Sequence, residues 1–137
     1  MVIRNCAGGI VFHDNLVLML CNDKCEWAFP KGVVRQGQRD KDVAKSRIKA
    51  EAGIDAEILA PCGKTYYEFY SITRQKPVHN NISWYVMNAE STEVTLDKDG
   101  SFTDGKFFPI EEALRQITYS QDKSLLMMAY QRYKELI

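Results

Sequence analysis

One helical segment constrains the fold more than any other feature. Residues 40–52 read as a helix, with Asp40 placed as its N-cap, Asp42 suited to the positive end of the helix dipole and Gly53 as its stop. Almost every other apolar run is β-prone. Residues 7–12 and 16–21 flank the turn His13-Asp14-Asn15 and form a hairpin. Phe29-Pro30-Lys31-Gly32 breaks the pattern into a loop or bend. Strand-like runs follow at 54–59, 64–72, 81–87 and 106–108. Pro109, with Glu111 and Glu112, opens a short helix. A last helix covers 121–136 under Ser120 as cap, with Leu125, Met128, Ala129, Arg132 and Leu136 near one face. Helices that punctuate strands in this way predict an α/β fold with a mixed β-sheet between helices. No Pro/Gly/Ser-rich linker, repeat or low-complexity run divides residues 1–137, so they read as a single domain.

The charge balance narrows the partners. Eighteen basic residues meet eighteen acidic ones, which gives no bulk attraction to nucleic acid or to an anionic membrane. No apolar stretch is long enough to span a bilayer and no signal-peptide pattern opens the chain, so a cytoplasmic location is expected. Cys6, Cys21, Cys25 and Cys62 are then reduced thiols. Cys21 and Cys25 have no second Cys/His pair to complete a zinc site, and His13 and His79 read as surface residues. Local charge is a different matter. From Lys31 to Ile54 seven basic residues outnumber three acidic ones, a net of +4 inside a neutral protein.

The chemistry is concentrated between Trp27 and Ile54. Helical spacing puts positions 47, 50 and 51 on one face, while Ala44, Ile48 and Ala52 pack on another. Gly32, Ile48, Gly53 and Ile54 keep a fixed frame, and Trp27-Ala28-Phe29-Pro30-Lys31-Gly32 leads into it. This segment resembles the Nudix family, which hydrolyses nucleoside diphosphates linked to another group. The family box reads Gly, five residues, Glu, seven residues, then Arg-Glu-aliphatic-any-Glu-Glu-any-Gly-aliphatic, and residues 32–54 match it without insertion or deletion. Ala7-Gly8-Gly9-Ile10-Val11 and residues 106–113 fit the family as well. The lead-in is most similar to diadenosine tetraphosphate hydrolase-like members. The resemblance implies a Nudix-type α/β/α sandwich with a mixed β-sheet.

The box itself is degenerate. Gln38, Ser46, Arg47 and Ala50 stand where the family has Glu, Arg, Glu and Glu, and of the box carboxylates only Glu51 remains. In the family those carboxylates gather Mg²⁺, which polarises phosphoryl oxygens and activates a water. By resemblance Glu51 is the catalytic candidate, and Glu51 and Gly32 the metal candidates. One carboxylate is a poor cage for Mg²⁺, and an Arg47 charge about 5 Å from the ion would repel it by roughly 6 kcal/mol at an effective dielectric of 20. Arg47 either swings away or pairs with Glu51 at the i, i+4 spacing. In some members the loop before the final strand supplies a further Glu. Ser101 is the matching position here, and Asp97, Asp99 and Asp104 are the acids that would have to rebuild a metal site.

By the same resemblance Lys31, Arg35 and Arg47 are expected to border the cleft in which the family holds a polyphosphate, and guanidinium groups grip phosphate oxygens in pairs. Strand alternation puts Tyr66 and Tyr70 on one face, Tyr67 and Phe69 on the other. One face is expected in the core and the other free to stack on a nucleobase, with Tyr67 as the binding candidate. The expected partner is a small phosphorylated ligand, in the first place a nucleotide. Three readings stand at this point. The chain is a relative that binds a nucleoside polyphosphate with weak or absent hydrolysis and no firm need for Mg²⁺. Or it is an active Mg²⁺-dependent pyrophosphohydrolase using Glu51 and acids outside the box. Or it is an interaction scaffold with no small ligand.

Overall fold

The computed structural model describes all of residues 1–137. In chain order the elements are β1 (Val2–His13), β2 (Leu16–Asn22), β3 (Trp27–Ala28), β4 (Lys31–Val33), α1 (Asp40–Ala52), β5 (Ala56–Ser71), β6 (Lys76–Ala89), β7 (Phe102–Pro109), α2 (Ile110–Gln116) and α3 (Ser120–Leu136). The strands form one sheet in the order β3-β2-β1-β6-β5, with β4 also paired to β1 and β7 to β2. β1 and β6 run parallel from Val2–Val78 to Phe12–Asn88, and the other pairings are antiparallel, so the sheet is mixed.

Alternation along β1 builds the two layers of core. Cys6, Ile10 and Phe12 point towards α2 and α3, where they meet Ala113, Leu125, Leu126, Ala129 and Tyr133. Ala7 and Val11 point the other way, towards Val43, Ala44, Ile48 and Ala52 of α1. The result is the expected α/β/α sandwich. Gly8 lies where a side chain has no room. A Cβ there would come within 2.5 Å of the Trp84 ring and 2.6 Å of the Pro30 carbonyl oxygen, which accepts the Gly9 N–H.

Several elements differ from the sequence expectation. The stretch expected as a loop at 29–32 runs into β4, because Lys31, Gly32 and Val33 pair with Gly8, Ala7 and Cys6. The runs at 54–59 and 64–72 merge into β5, bent by irregularities at Ile58/Ala60 and Pro61/Lys64. There Gly63 has φ +101°, and Pro61 is tolerated because β5 is an edge strand. Asp40 and Ser120 are the first helical residues rather than caps. The cap positions are Arg39 and Tyr119, neither of which caps through its side chain. Gly53 does close α1, in the left-handed conformation at φ 70°, with its N–H on Lys49. On α3 the inward face is turned from the expected one. Tyr133 is buried while Met128 and Leu136 are exposed, because Tyr133 stacks on Phe12 at 4.7 Å and its hydroxyl donates to Asn88 Oδ1. No helix is long and apolar enough to cross a membrane.

Candidate functional site

The box helix presents an ion pair where the family gathers carboxylates. Arg47 Nη2 lies 2.5 Å from Glu51 Oε1, one turn apart on α1. Glu51 is only 7% exposed, and its second oxygen, Oε2, is buried without a partner. Burial pushes the Glu51 carboxyl above the ordinary range. Arg47 and Lys31 pull it back, and Asp97 pushes it up further. The Arg47 stem crosses Gly32 closely enough that any side chain at 32 would collide with it. The frame glycine therefore makes room for the arginine.

The residues present do not fit a Mg²⁺ ion. Glu51 has one oxygen committed to Arg47, and nowhere in the molecule do three or more His, Cys, Asp or Glu side chains gather in a metal-holding group. Of the three acids outside the box, only Asp97 acts electrostatically on Glu51. The Asp97 carboxylate accepts the Asp99 N–H at 3.0 Å, and Asp104 lies in β7 opposite Cys21, where its carboxylate accepts the Gly105 N–H. Cys21 is buried and Cys25 exposed, and both are free thiols.

Next along β4, Lys31 faces a cleft of about 770 Å³. Its apolar wall is made of Phe29, Tyr67, Phe69, Ile82 and Trp84. Trp84 is held edge-on to Phe29 and donates its indole N–H to Thr65 Oγ1 at 2.8 Å, which fixes the ring and satisfies its polar atom. The Lys31 ammonium stands 5.6 Å from the centre of the Tyr67 ring, and Tyr67 stacks on Phe69. The lining also takes in residues from far along the chain: Tyr119 just before α3, and Gln121 and Asp122 in its first turn, with Tyr119 donating its hydroxyl to Glu26.

Neither face of the 66–70 stretch is core, contrary to expectation. Tyr66, Tyr67, Phe69 and Tyr70 are all exposed, and neither core layer includes a β5 residue beyond Cys62. The alternation itself holds: Tyr67 and Phe69 line the cleft, while Tyr66 lines a separate polar cavity of about 580 Å³. Arg35 belongs to that second cavity, with Lys64 and Asn81, and not to the cleft of Lys31 and Tyr67. The structure thus brings together Lys31 with Tyr67, and Gly32 with Arg47 and Glu51, and β4 joins the two groups. Trp27 packs edge-on against Phe108. His79 is engaged by Glu68 and Asn81.

Reading the sequence missed Phe29, Glu26, Tyr119 and Asp122 as cleft residues. Phe29 lies within the lead-in Trp27-Ala28-Phe29-Pro30-Lys31-Gly32 itself and was within reach. The others are brought to the cleft by pairing of the segment after α2 with β3, where Trp27 N–H donates to Thr118 Oγ1 and Trp27 bridges Ile117.

Comparison with known proteins agrees with this fold. The NUDIX domain family matches residues 2–128. A protein of Mycobacterium tuberculosis named as mutator protein MutT4 is 27% identical over 103 residues, 75% of this chain, and the match spans only 40% of that relative's length. The mouse bis(5'-nucleosyl)-tetraphosphatase (asymmetrical) is 24% identical over 96% of this chain and 95% of its own. Among solved structures, a Caenorhabditis elegans Ap4A hydrolase binary complex superposes with a TM-score of 0.70 at 21% identity, covering 96% of this chain and 98% of that one. A MutT Nudix hydrolase from Burkholderia pseudomallei gives a TM-score of 0.74 at 17% identity, with 93% and 98% covered. With the family matched along nearly its whole length, the chain belongs to the Nudix superfamily of hydrolases.

Proposed function

We propose that this protein binds a nucleoside polyphosphate or a related diphosphate compound, and that it hydrolyses the compound weakly or not at all. The base occupies the aromatic cleft of Phe29, Tyr67 and Trp84, and the phosphates run along β4 past Lys31 towards Arg47. The observation that carries this reading is the Arg47–Glu51 ion pair seated over Gly32. A cation of the protein's own stands where the family recruits one from solution. Lys31 and Arg47 supply charge for phosphate oxygens, the guanidinium in bidentate form, without a divalent ion. Relatives named for nucleotide polyphosphates support the ligand class.

An active hydrolase remains the second reading, supported by Asp97, whose charge acts on Glu51. One assay separates the two. The protein is incubated with diadenosine tetraphosphate and a panel of nucleoside diphosphate derivatives, with Mg²⁺ or Mn²⁺, and nucleotide release is followed by chromatography. Release no faster than in a protein-free blank is the expected result. Turnover that Glu51→Gln abolishes would overturn the proposal and establish the enzyme.

A further inference from the structure

The polar cavity of Arg35 and Tyr66 lies on the other face of the sheet from the aromatic cleft. Along β6, Ile82 and Trp84 join the core layer under α2 and α3, while Tyr85 and Met87 join the layer under α1. Asn81 and Ser83 share the face of Tyr85 but are only half-buried, so they lie where the cover of α1 gives out. There the strands set a polar floor. Asn81 pairs with Asn5 on one side and Tyr66 on the other, and Ser83 pairs with Lys64. The loop after β4 forms the wall. Val34 N–H donates to the Asn5 carbonyl at 2.7 Å, and Arg35 and Gln38 exchange hydrogen bonds of 2.9 and 3.0 Å that fix the turn. The volume, about 580 Å³, is within the range of small-molecule sites.

Arg35 and Lys64 both line this cavity, and neither joins an ion pair. Glu68, in the neighbouring row, is paired with His79 instead. A phosphate between the two cations is attracted by both, and the guanidinium grips two of its oxygens. The rest of the lining suits hydroxyl groups. Ser83 offers a hydroxyl and Asn5 an amide N–H. Asp40, the one carboxylate of the lining, accepts from O–H donors and repels phosphate, so it sets the two ends of a ligand apart. Tyr66 is 52% exposed, and His79 props its ring at 6.0 Å, which leaves an aromatic face for the C–H side of a sugar ring. Val34 is the only aliphatic side chain of the lining, so an acyl chain or a nucleobase has no apolar wall to pack on. We infer that this cavity binds a small phosphorylated polyol of the sugar-phosphate type, its phosphate on Arg35 and Lys64 and its hydroxyls on Asn5, Ser83 and Asp40. The site is independent of the nucleotide reading above and gives a ligand to Arg35 and Tyr66, which that reading does not use.

Titration of the full chain with glucose 6-phosphate, glucose and inorganic phosphate, all in EDTA, tests the inference by calorimetry and by amide NMR. Glucose 6-phosphate should bind, moving the backbone amide signals of Asn5, Asn81 and Ser83 and leaving the Trp84 indole N–H signal of the aromatic cleft in place. Glucose and inorganic phosphate should each bind about tenfold more weakly, since each lacks half of the contacts. Arg35→Gln and Lys64→Gln, both at exposed positions that the fold does not depend on, should each weaken glucose 6-phosphate about tenfold, the worth of a charge-assisted hydrogen bond. Absence of binding, shifts confined to the Trp84 indole, or an affinity that neither substitution changes overturns the site. Inorganic phosphate binding as tightly as glucose 6-phosphate overturns the polyol assignment. None of these results bears on nucleotide binding in the aromatic cleft, which is measured separately.

Discussion

At the scale of single residues, Arg47 and Glu51 hold each other in place. Removing Arg47 leaves a carboxylate that is 7% exposed with neither oxygen partnered. Fully buried pairs broken in this way lose roughly 3–5 kcal/mol, and Arg47 is half exposed, so Arg47→Ala should cost about 2 kcal/mol in denaturant unfolding at neutral pH. Glu51 also carries a pH signature. Burial raises its native value above the usual 4.5, so the native state holds that proton more tightly than the unfolded chain. Its contribution to stability is complete below pH 4.5 and is lost as pH rises through the raised native value. Relative to Glu51→Gln, the Tm of the natural protein should therefore fall as pH is taken from about 4 to about 7. A parallel pH course for the two proteins would contradict this. Thiol reactivity is a separate test of burial. Cys25 is exposed, whereas Cys6, Cys21 and Cys62 are buried and burial pushes the Cys62 thiol up to about 12. Alkylation of the native protein should modify Cys25 alone, as mass spectrometry would show, with the other three reacting only on unfolding.

At the scale of elements, the site depends on how closely β4, β1 and β6 approach. Gly8→Ala would drive a methyl against the Pro30 carbonyl, which cannot retreat without losing the Gly9 N–H, and against the Trp84 ring. It should destabilise the fold by about 1–3 kcal/mol and weaken nucleotide binding by displacing Trp84, both measurable on one preparation. Unchanged stability would mean that the strands part more easily than their hydrogen bonds suggest. The box was legible in the sequence because its information is local. A fixed spacing sets the frame, and the i, i+4 rule offers pairing of 47 with 51 as one of the two courses open to Arg47, the one the structure shows. The other wall of the cleft was not legible. Glu26 and Tyr119 meet from 93 residues apart, and no periodicity in either neighbourhood encodes the meeting. The aromatic run on β5 misled for a related reason. Alternation gives the two faces correctly, but only the rest of the fold decides which face is covered. Neither is core here, since β5 is an edge strand and neither core layer follows it beyond Cys62.

At the scale of the whole molecule, the protein has the family's fold, and one face of one helix carries Arg47, Ala50 and Glu51. The fold is separable from that face. Val43, Ala44, Ile48 and Ala52 anchor α1 to the sheet and do not depend on what the neighbouring face displays. Gln38→Glu, Ser46→Arg, Arg47→Glu and Ala50→Glu together should therefore leave the fold intact and create Mg²⁺ or Mn²⁺ binding, seen as a metal-dependent rise in Tm. A folded variant with no such rise would mean that the cleft has diverged beyond the box.

Calorimetric titration of a nucleoside polyphosphate into the natural protein, once in EDTA and once in Mg²⁺, tests most directly whether the protein's own cation replaces the metal. Binding that persists in EDTA and is weakened about tenfold or more by Arg47→Ala is the result this account predicts. Binding that appears only with Mg²⁺, or that Arg47→Ala leaves unchanged, would contradict it.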